Sequence, residues 1–226
     1  MGMRGKILER QGYQLGAYLI LGGLLLYGGR RLSNDAHIFA GFSALQWMAV
    51  SWLLAGVFQF WIAFFWRLEL YGKHISRRLG PAGFIVFRIG FVILGAARFL
   101  MLVPVALSTR NTMDLPDYLR FFLIIVSTPG IVWAAYGALF QFGFKRATGA
   151  DHFDPAYRTA ALESSGIFKH VRNPMYAIVL LVLYHPGLLW QSAPGLLLAA
   201  AHHAFVWVHY FCTEKPDLTE IYKTRR

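Results

Sequence analysis

The chain has 226 residues, of which 57% are hydrophobic and only 15% charged, and its mean hydropathy is +0.46. A soluble globular domain carries roughly 45–50% apolar and about 25% charged residues, so this composition excludes an ordinary soluble fold and predicts a multi-pass membrane protein. The net charge of +11 raises the question of nucleic acid, but the basic residues lie between hydrophobic stretches, where they orient the chain and meet anionic lipid, so we exclude that partner.

Four hydrophobic stretches follow one another along the first 142 residues and predict four membrane-spanning helices. A helix needs about 20 apolar residues to cross a bilayer. The first stretch is short and rich in Leu and Gly, and the second contains no Lys, Arg, Asp or Glu. Arg88 and Arg98 interrupt the third, and Pro129 is expected to kink the fourth. The stretches are 12–29, 37–66, 82–107 and 121–142.

A polar segment, residues 143–172, separates these stretches from two more, at 174–190 and 193–212. These two stretches hold 17 and 20 residues, so at about 1.5 Å per residue each is just long enough to cross the bilayer. The short turn between them predicts an antiparallel helical hairpin. The sequence therefore predicts an all-α bundle of about six spans. We divide it into four N-terminal spans, residues 1–142, and a segment 143–226 that holds the polar loop, the hairpin 174–212 and a tail, with a cofactor site at the hairpin.

The distribution of Lys and Arg predicts the orientation of the chain. Six spans put both termini on one side, and that side then carries sixteen of the 22 basic residues, against four on the other and two inside a span. Because basic loops stay in the cytoplasm, we expect both termini to be cytoplasmic, in a bacterial inner membrane or the endoplasmic reticulum. No feature of the sequence indicates an oligomer.

The start of the fifth span has the features of an anion site. Asn173 is predicted to cap the helix, and Pro174 is preorganised for its first position. Lys169, His170 and Arg172 stand just upstream, so basic side chains and a helix N-terminus are expected at one spot. The alternative is an ordinary capped helix start without a ligand.

The hairpin geometry brings Glu214, at the exit of the sixth span, to the same membrane level as Asn173. An anion-binding helix start, a carboxylate and the aromatic ring of Tyr176 suit a zwitterionic ligand, and S-adenosylmethionine, with a carboxylate, an amine and a sulfonium, is one. Glu214 would hold the amine or accept a proton from the attacking group. Its alternative role is that of an interfacial acid paired with Lys215.

At these residues the sequence resembles the integral-membrane methyltransferases, first of all the phosphatidylethanolamine N-methyltransferases. That branch carries Asn-Pro-Met-Tyr, a hairpin, Glu-Glu-Pro and a Glu-Ile-Tyr tail. This chain has Asn-Pro-Met-Tyr at 173–176, Glu-Lys-Pro at 214–216 and Glu-Ile-Tyr at 220–222. It departs from the pattern at Lys215, which replaces the second acid, and in lacking an evident Gly-x-Gly, for which Gly137 and Gly143 are loose candidates.

The chain also resembles the isoprenylcysteine carboxyl methyltransferases, which carry Gly-Pro-Tyr followed by Val-Arg-His-Pro-x-Tyr. Here Gly-Ile-Phe stands at 166–168 and Val-Arg-Asn-Pro-Met-Tyr at 171–176, which keeps the Arg and replaces the His by Asn. Together the resemblances cover about the last 90 residues and imply S-adenosylmethionine at the cytoplasmic face and a lipophilic acceptor from the bilayer. They imply a cofactor site of Gly166, Phe168, His170, Arg172, Asn173, Pro174, Tyr176 and Glu214, with Glu214, Tyr176 and Arg172 as catalytic residues.

Arg88 and Arg98 are the candidates for contact with the acceptor. A charge inside a span costs at least about 2.5 kcal/mol, so Arg98 is expected to face a cavity or a bound anion such as a lipid phosphate. Arg88 lies nearer the end of its span, where its side chain can extend to the surface instead.

Other polar residues are interpreted as structural. His202, His203 and His209 lack a His-x-x-x-His spacing, so we expect packing or cavity residues and no metal site. Asp151 and His152 are expected in a solvated loop, with a lid over the cofactor as the alternative.

Three functions remain open from the sequence. The first is methyl transfer from S-adenosylmethionine to a phospholipid amine. The second keeps that chemistry with a prenylated-cysteine carboxylate or a small thiol as acceptor, which Arg172 favours and Asn173 opposes. The third is a non-catalytic membrane scaffold or transporter-like protein, which Lys215 suggests.

Overall fold

The computed structural model describes residues 2–33, 38–159 and 163–222, and these form a helical bundle. The prediction of an all-α multi-pass fold is confirmed. Each of the six predicted stretches contains a helix where it lies within the described residues. The long helices are α2 (Gln11–Leu32), α3 (Ala44–Gly72), α5 (Ala82–Leu100), α7 (Asp117–Tyr136) and α13 (Ala193–His209). The shorter ones are α1 (Met3–Ile7), α4 (His74–Leu79), α6 (Leu102–Ser108), α8 (Phe144–Ala147), α9 (Ala150–Phe153), α10 (Ala156–Thr159), α11 (Pro174–Ala177), α12 (His185–Leu189) and α14 (Lys215–Ile221).

Within the described residues, four continuous helical stretches are long and apolar enough to cross a membrane. A shorter apolar stretch, Pro174–Leu189, accompanies them, and α2 adds 22 residues at the N-terminal end. The four long stretches are Ala44–Gly72, Ala82–Ser108, Asp117–Gln141 and Ala193–Ile221.

The second predicted span begins later than its hydrophobic stretch. Its first predicted residue, His37, lies outside the described residues, and two short antiparallel strands, β1 (Ile38–Phe39) and β2 (Phe42–Ser43), follow. The turn between the strands places Ala40 and Gly41 at positive φ, as a tight hairpin requires. The hydroxyl of Ser43 then accepts from the backbone N–H of Gln46 and starts α3.

Helix α13 lies at the centre of the bundle and packs against α2, α3 and α6. The division at residue 142 stays a prediction. One hydrophobic core contains residues from both sides of it. That core contains Leu25, Met48, Trp52, Ala55, Leu102, Val105, Leu180, Leu183, Leu198, Ala199, Ala201, Phe205 and Val206.

The fifth predicted span is not one continuous α-helix, which corrects the sequence expectation. Helix α11 ends after one turn, Ile178 has φ −120° and ψ −52°, and a 3₁₀-helix (Val179–Tyr184) leads into α12. Broken backbone at membrane depth requires partners for its freed polar groups. The imidazole Nε2 of His203 lies 2.8 Å from the carbonyl oxygen of Tyr176 and supplies one such partner.

The last span continues through Pro216. The sequence predicts a break at this proline, followed by a short helix on the membrane surface with Leu218, Ile221 and Tyr222 on one face. A π-helical turn, Tyr210–Glu214, joins α13 to α14, and the N–H of Lys215 bonds to the carbonyl of Tyr210. The widened turn and the missing N–H of Pro216 release the carbonyls of Phe211 and Cys212. Two guanidinium groups donate hydrogen bonds to these carbonyls. Arg10 Nη1 lies 3.2 Å from Phe211 O, and Arg67 Nη2 lies 2.9 Å from Cys212 O.

The tail therefore packs on the protein instead of lying on the membrane surface. Asp217 is fully buried and Ile221 is 5% exposed. Lys6 Nζ lies 3.3 Å from Glu220 Oε1, so α1 and α14 meet at one end of the bundle. At the opposite end the hydroxyls of Thr109 and Ser192 are 2.6 Å apart, which joins the end of α6 to the hairpin turn.

Candidate functional site

The hairpin brings Tyr176 and Glu214 into direct contact. The phenolic O–H of Tyr176 donates a hydrogen bond to the Oε2 carboxylate oxygen of Glu214, and both side chains are half-buried. Tyr176 lies on the first turn of the broken fifth helix, and Glu214 closes the π-turn of the sixth. Two residues 38 positions apart are thus neighbours at one end of the bundle.

One face of the sixth helix supplies four side chains that contact Tyr176. His203, Trp207, Tyr210 and Glu214 recur at spacings of four, three and four residues, which is the repeat of a single helix face. His203 contacts the backbone of Tyr176, and the other three contact its side chain. The motif comparison missed Trp207 and Tyr210, although the helical period could have indicated them from Glu214.

Three aromatic rings form the wall of this site. The ring of Tyr176 meets those of Trp207 and Tyr210 edge-on, with centroids 5.8 and 5.9 Å away. Trp207 and Tyr210 meet each other in the same way, at 5.7 Å. Electron-rich ring faces beside a carboxylate attract a cation, so this group of residues has the chemistry of a site for a sulfonium or an ammonium ion.

A second layer of hydrogen bonds fixes Tyr176. Because His203 Nε2 donates to the Tyr176 carbonyl, its Nδ1 must accept, and the Tyr184 hydroxyl lies 3.3 Å from it. Tyr184 and His203 thus hold the backbone of Tyr176, and Glu214 holds its hydroxyl. These contacts connect both helices of the hairpin.

Among the residues that the structure describes, the predicted Asn173 cap at the start of the fifth span is absent. Within the described part of the chain, the Asn173 side chain makes no capping hydrogen bond, although Pro174 does occupy the first helical turn. The Asn173 carbonyl accepts from the N–H groups of Tyr176 and Ala177, at 3.1 and 2.9 Å. Helix α11 has only four residues, too few for a substantial dipole.

Lys169, His170 and Arg172 are all exposed. The ring of His170 lies 6.0 Å from that of Trp133 on α7. The structure thus brings Pro174, which is buried, and Tyr176 to the hairpin contact, whereas the three basic side chains line the surface before it. Arg172 stays a predicted cofactor or catalytic residue on the basis of its place in the motif.

Gly166 and Phe168 pack against the end of α7, where a second π-turn (Gly137–Gln141) lies. Gly166 has φ +53°, and a Cβ there would lie 2.3 Å from the side-chain oxygen of Gln141. The ring of Phe168 lies 5.7 Å from that of Phe142. The Gly-Ile-Phe motif is therefore explained by packing against the preceding helix.

The two arginines of the third span have different surroundings. Arg88 stacks over the rings of Phe84 and Phe144, at 5.4 and 5.0 Å. Arg98 is 2% exposed, and its Nε and Nη2 donate to the Nδ1 and the carbonyl oxygen of His202, at 2.9 and 3.0 Å. The charge of Arg98 therefore points into the bundle, toward the sixth helix and away from open lipid.

The polar segment is not the solvated loop that the sequence suggested. Asp151 and His152 are 4% and 2% exposed. Asp151 lies 3.2 Å from Arg146 Nε and accepts a hydrogen bond from Tyr222, so the segment is tied to the C-terminal tail. Burial raises the pKa of Tyr222, and the hydrogen bond to Asp151 raises it further, which keeps the phenol protonated as a donor.

The contacts of Lys215 differ from the predicted pairing with Glu214, whereas those of His202 agree with the predicted packing role. Lys215 Nζ lies 5.5 Å from the ring centroid of Phe211, and Glu214 is held by Tyr176, so the structure does not pair Glu214 with Lys215. The histidines were predicted to be packing or cavity residues, and the hydrogen bonds of His202 with Arg98 and Ser51 fit that role. Among the described residues, no group of three or more His, Cys, Asp and Glu side chains converges in a way that could hold a metal ion.

Residues 120–225 match the model of the phospholipid methyltransferase family. The match covers a little less than half of the chain. Comparisons with curated proteins and with solved structures gave no significant match. The matched region begins in α7 and contains the polar segment, the hairpin and the tail, so Tyr176, Glu214 and their aromatic neighbours all lie inside it.

The match and the apolar helices together indicate a membrane protein, and the matched family is one of methyltransferases. Such enzymes typically take the methyl group from S-adenosylmethionine. The residues present fit that group, because a sulfonium and an amine are both cations, and aromatic rings beside a carboxylate attract cations.

Proposed function

We propose that this protein transfers a methyl group from S-adenosylmethionine to a lipophilic acceptor, with a phospholipid amine as first choice. The observation that carries the proposal is the contact between Tyr176 and Glu214, enclosed by Trp207 and Tyr210, within the region that matches phospholipid methyltransferases. In this proposal the cofactor, when bound, supplies an electrophilic methyl group on sulfur.

The protein's own contribution would be alignment, proton transfer and exclusion of water. Methyl transfer is an in-line displacement, so holding the two reactants in line supplies much of the catalysis. A phospholipid amine is protonated at neutral pH and must lose a proton before its nitrogen attacks. Glu214 would accept that proton, while the Tyr176 hydroxyl fixes the orientation of the carboxylate.

The remaining site residues keep their proposed roles. Arg172 and the segment from Gly166 to Pro174 would contact the cofactor at its carboxylate and adenosine end, and Arg98 or Arg88 would contact the acceptor. The excess of Lys and Arg at the end that carries Glu214 supports a cytoplasmic position for the site and for both termini, in a bacterial inner membrane or the endoplasmic reticulum.

The decisive experiment incubates the purified protein with labelled S-adenosylmethionine and total lipid, and then identifies the labelled product. We expect label in methylated phosphatidylethanolamine. Label in a prenylated cysteine ester or a small thiol would replace the acceptor and keep the reaction. If the protein shows no binding of S-adenosylmethionine or S-adenosylhomocysteine by titration calorimetry, a non-catalytic scaffold is the better description.

His203 provides a separate prediction, because it supports Tyr176 without belonging to the proposed cofactor site. Replacing His203 with Ala is expected to weaken S-adenosylmethionine binding about fivefold, the effect of losing roughly 1 kcal/mol of hydrogen bonding. His203→Gln keeps a donor and should restore most of the affinity. Titration calorimetry measures both.

His185 offers the matched control. Its imidazole lies 3.0 Å from the hydroxyl of Ser127 and therefore also joins two helices, but away from Tyr176. His185→Ala should leave cofactor affinity unchanged. Equal losses in the two alanine variants would mean that His203 acts only through general packing.

A further inference from the structure

A cavity of about 460 Å³ opens where the two ends of the chain meet. The residues around it come from α1, the following loop, the end of α3 and α14, including Lys6, Tyr71 and Thr219. Its volume falls in the range of roughly 300–1,000 Å³ that is usual for sites of small ligands. The contact between Tyr176 and Glu214 does not contribute to it, so the cavity needs its own explanation.

The charge inside this cavity is positive. Among the described residues that line it, Lys6, Arg10 and Lys215 face Glu9 and Glu220, which gives three cations and two acids and a net charge of +1. Lys6 Nζ is 3.3 Å from Glu220, and Arg10 Nε is 3.9 Å from Glu9. Lys215 is exposed, and within the described residues no carboxylate lies within 4.0 Å of its ammonium group.

Lys215 decides the sign of that charge. An acid at this position, as in the phosphatidylethanolamine branch, would leave two cations and three acids and a net charge of −1. The Lys215 side chain lies over the ring of Phe211, and Glu214 accepts its hydrogen bond from Tyr176, so the substitution changes the charge of the cavity and leaves the carboxylate beside Tyr176 in place.

Exposed apolar side chains lie close to residues of the cavity: Leu8 precedes Glu9, Tyr13 follows Arg10 by three residues, and the centroid of the Phe211 ring lies 5.5 Å from Lys215 Nζ. Leu8, Tyr13 and Phe211 are 58%, 79% and 50% exposed. Arg10 Nη1 lies 3.2 Å from the carbonyl oxygen of Phe211, which connects these apolar side chains to the cations. A ligand with a phosphate and hydrocarbon chains could therefore place the phosphate among the cations and the chains along these three side chains.

We propose that this cavity binds the phosphate of an acidic glycerophospholipid, with its acyl chains against Leu8, Tyr13 and Phe211. One negative charge balances the net charge of +1, which a zwitterionic headgroup would not do. Cations near a membrane surface add about fivefold each to the binding of acidic lipid, the factor that corresponds to about 1 kcal/mol. The site does not depend on the proposed methyl transfer.

Native mass spectrometry of the full chain, with equal amounts of phosphatidylglycerol and phosphatidylcholine, tests the proposal. We expect one phosphatidylglycerol to be retained at least fivefold in preference to phosphatidylcholine. Lys215→Gln should reduce that preference about fivefold, and Lys215→Glu should remove it. Because Lys215 is exposed, both variants should keep the unfolding temperature of the parent protein.

Lys145→Gln is the matched control, since Lys145 is exposed and lies outside the cavity. It should leave the preference unchanged, and an equal loss in this variant would overturn the proposal in favour of diffuse surface charge. Absence of any preference in the parent protein would overturn it as well. Displacement of the lipid by inorganic phosphate alone would show a site for free phosphate and reject the lipid headgroup.

Discussion

Replacing Glu214 with Gln is expected to lower the rate of methyl transfer at least 100-fold. A general base contributes typically 10²- to 10⁴-fold, and the amide cannot accept the proton that the acceptor nitrogen must lose. The amide oxygen can still accept the hydrogen bond from Tyr176, so the hairpin contact should survive. The rate is measured as transfer of label from S-adenosylmethionine to lipid, with the lipid saturating.

The matched control is Glu163→Gln, because Glu163 lies in the same matched region and its carboxylate accepts from the neighbouring Ser164 and Ser165. That variant should keep the activity of the parent protein. A Glu214→Gln variant that retains more than about a tenth of the activity would exclude Glu214 as the base. The aromatic rings alone would then have to account for the site.

The second large effect concerns stability and the pair of Arg67 and Asp217. Both side chains are fully buried, and Arg67 Nε lies 3.1 Å from Asp217 Oδ1. Arg67 also donates to the carbonyls of Ile7, Glu9 and Cys212. We expect Arg67→Met to destabilise the protein by about 3–5 kcal/mol, because it leaves a buried carboxylate without its cation. Unfolding by denaturing detergent, followed by tryptophan fluorescence, measures the change.

Two further variants identify the cause of that loss. Arg78→Met removes an exposed Arg from α4 and should change stability by less than about 0.5 kcal/mol. Asp217→Leu combined with Arg67→Met removes both charges and should recover part of the stability of the single variant. If the double variant is less stable than Arg67→Met, the carbonyl contacts of Arg67 outweigh its ion pair.

The sequence by itself was sufficient for the class of fold and for the family. Hydrophobic composition and the length of each stretch predict a multi-pass helical bundle, because a membrane imposes a minimum length on any helix that crosses it. The Asn-Pro-Met-Tyr and Glu-x-Pro motifs led to the methyltransferases, and residues 120–225 match the phospholipid branch. The meeting of Tyr176 and Glu214 also follows from the sequence, since two helices joined by a short turn return to one level.

The departures from regular helix required the tertiary structure. A periodic apolar pattern does not indicate that α11 ends at Ala177, because the break is held by His203 from the neighbouring helix. It also predicts a stop at Pro216, whereas a π-turn and Arg67 satisfy the backbone there. These partners are remote in sequence, so no local pattern could show them.

The sequence likewise did not show which charged side chains are buried. The sequence established that the chain is strongly basic and that its cations flank the spans, which follows from composition alone. Contacts between the first ten residues, α3 and the tail determine the surroundings of each cation. Arg67 is paired with Asp217 inside the protein, whereas Lys215 lines a cavity. The physical reason is that a charge finds its partner in space, and only packing of the helices determines which distant carboxylate or carbonyl lies within its reach.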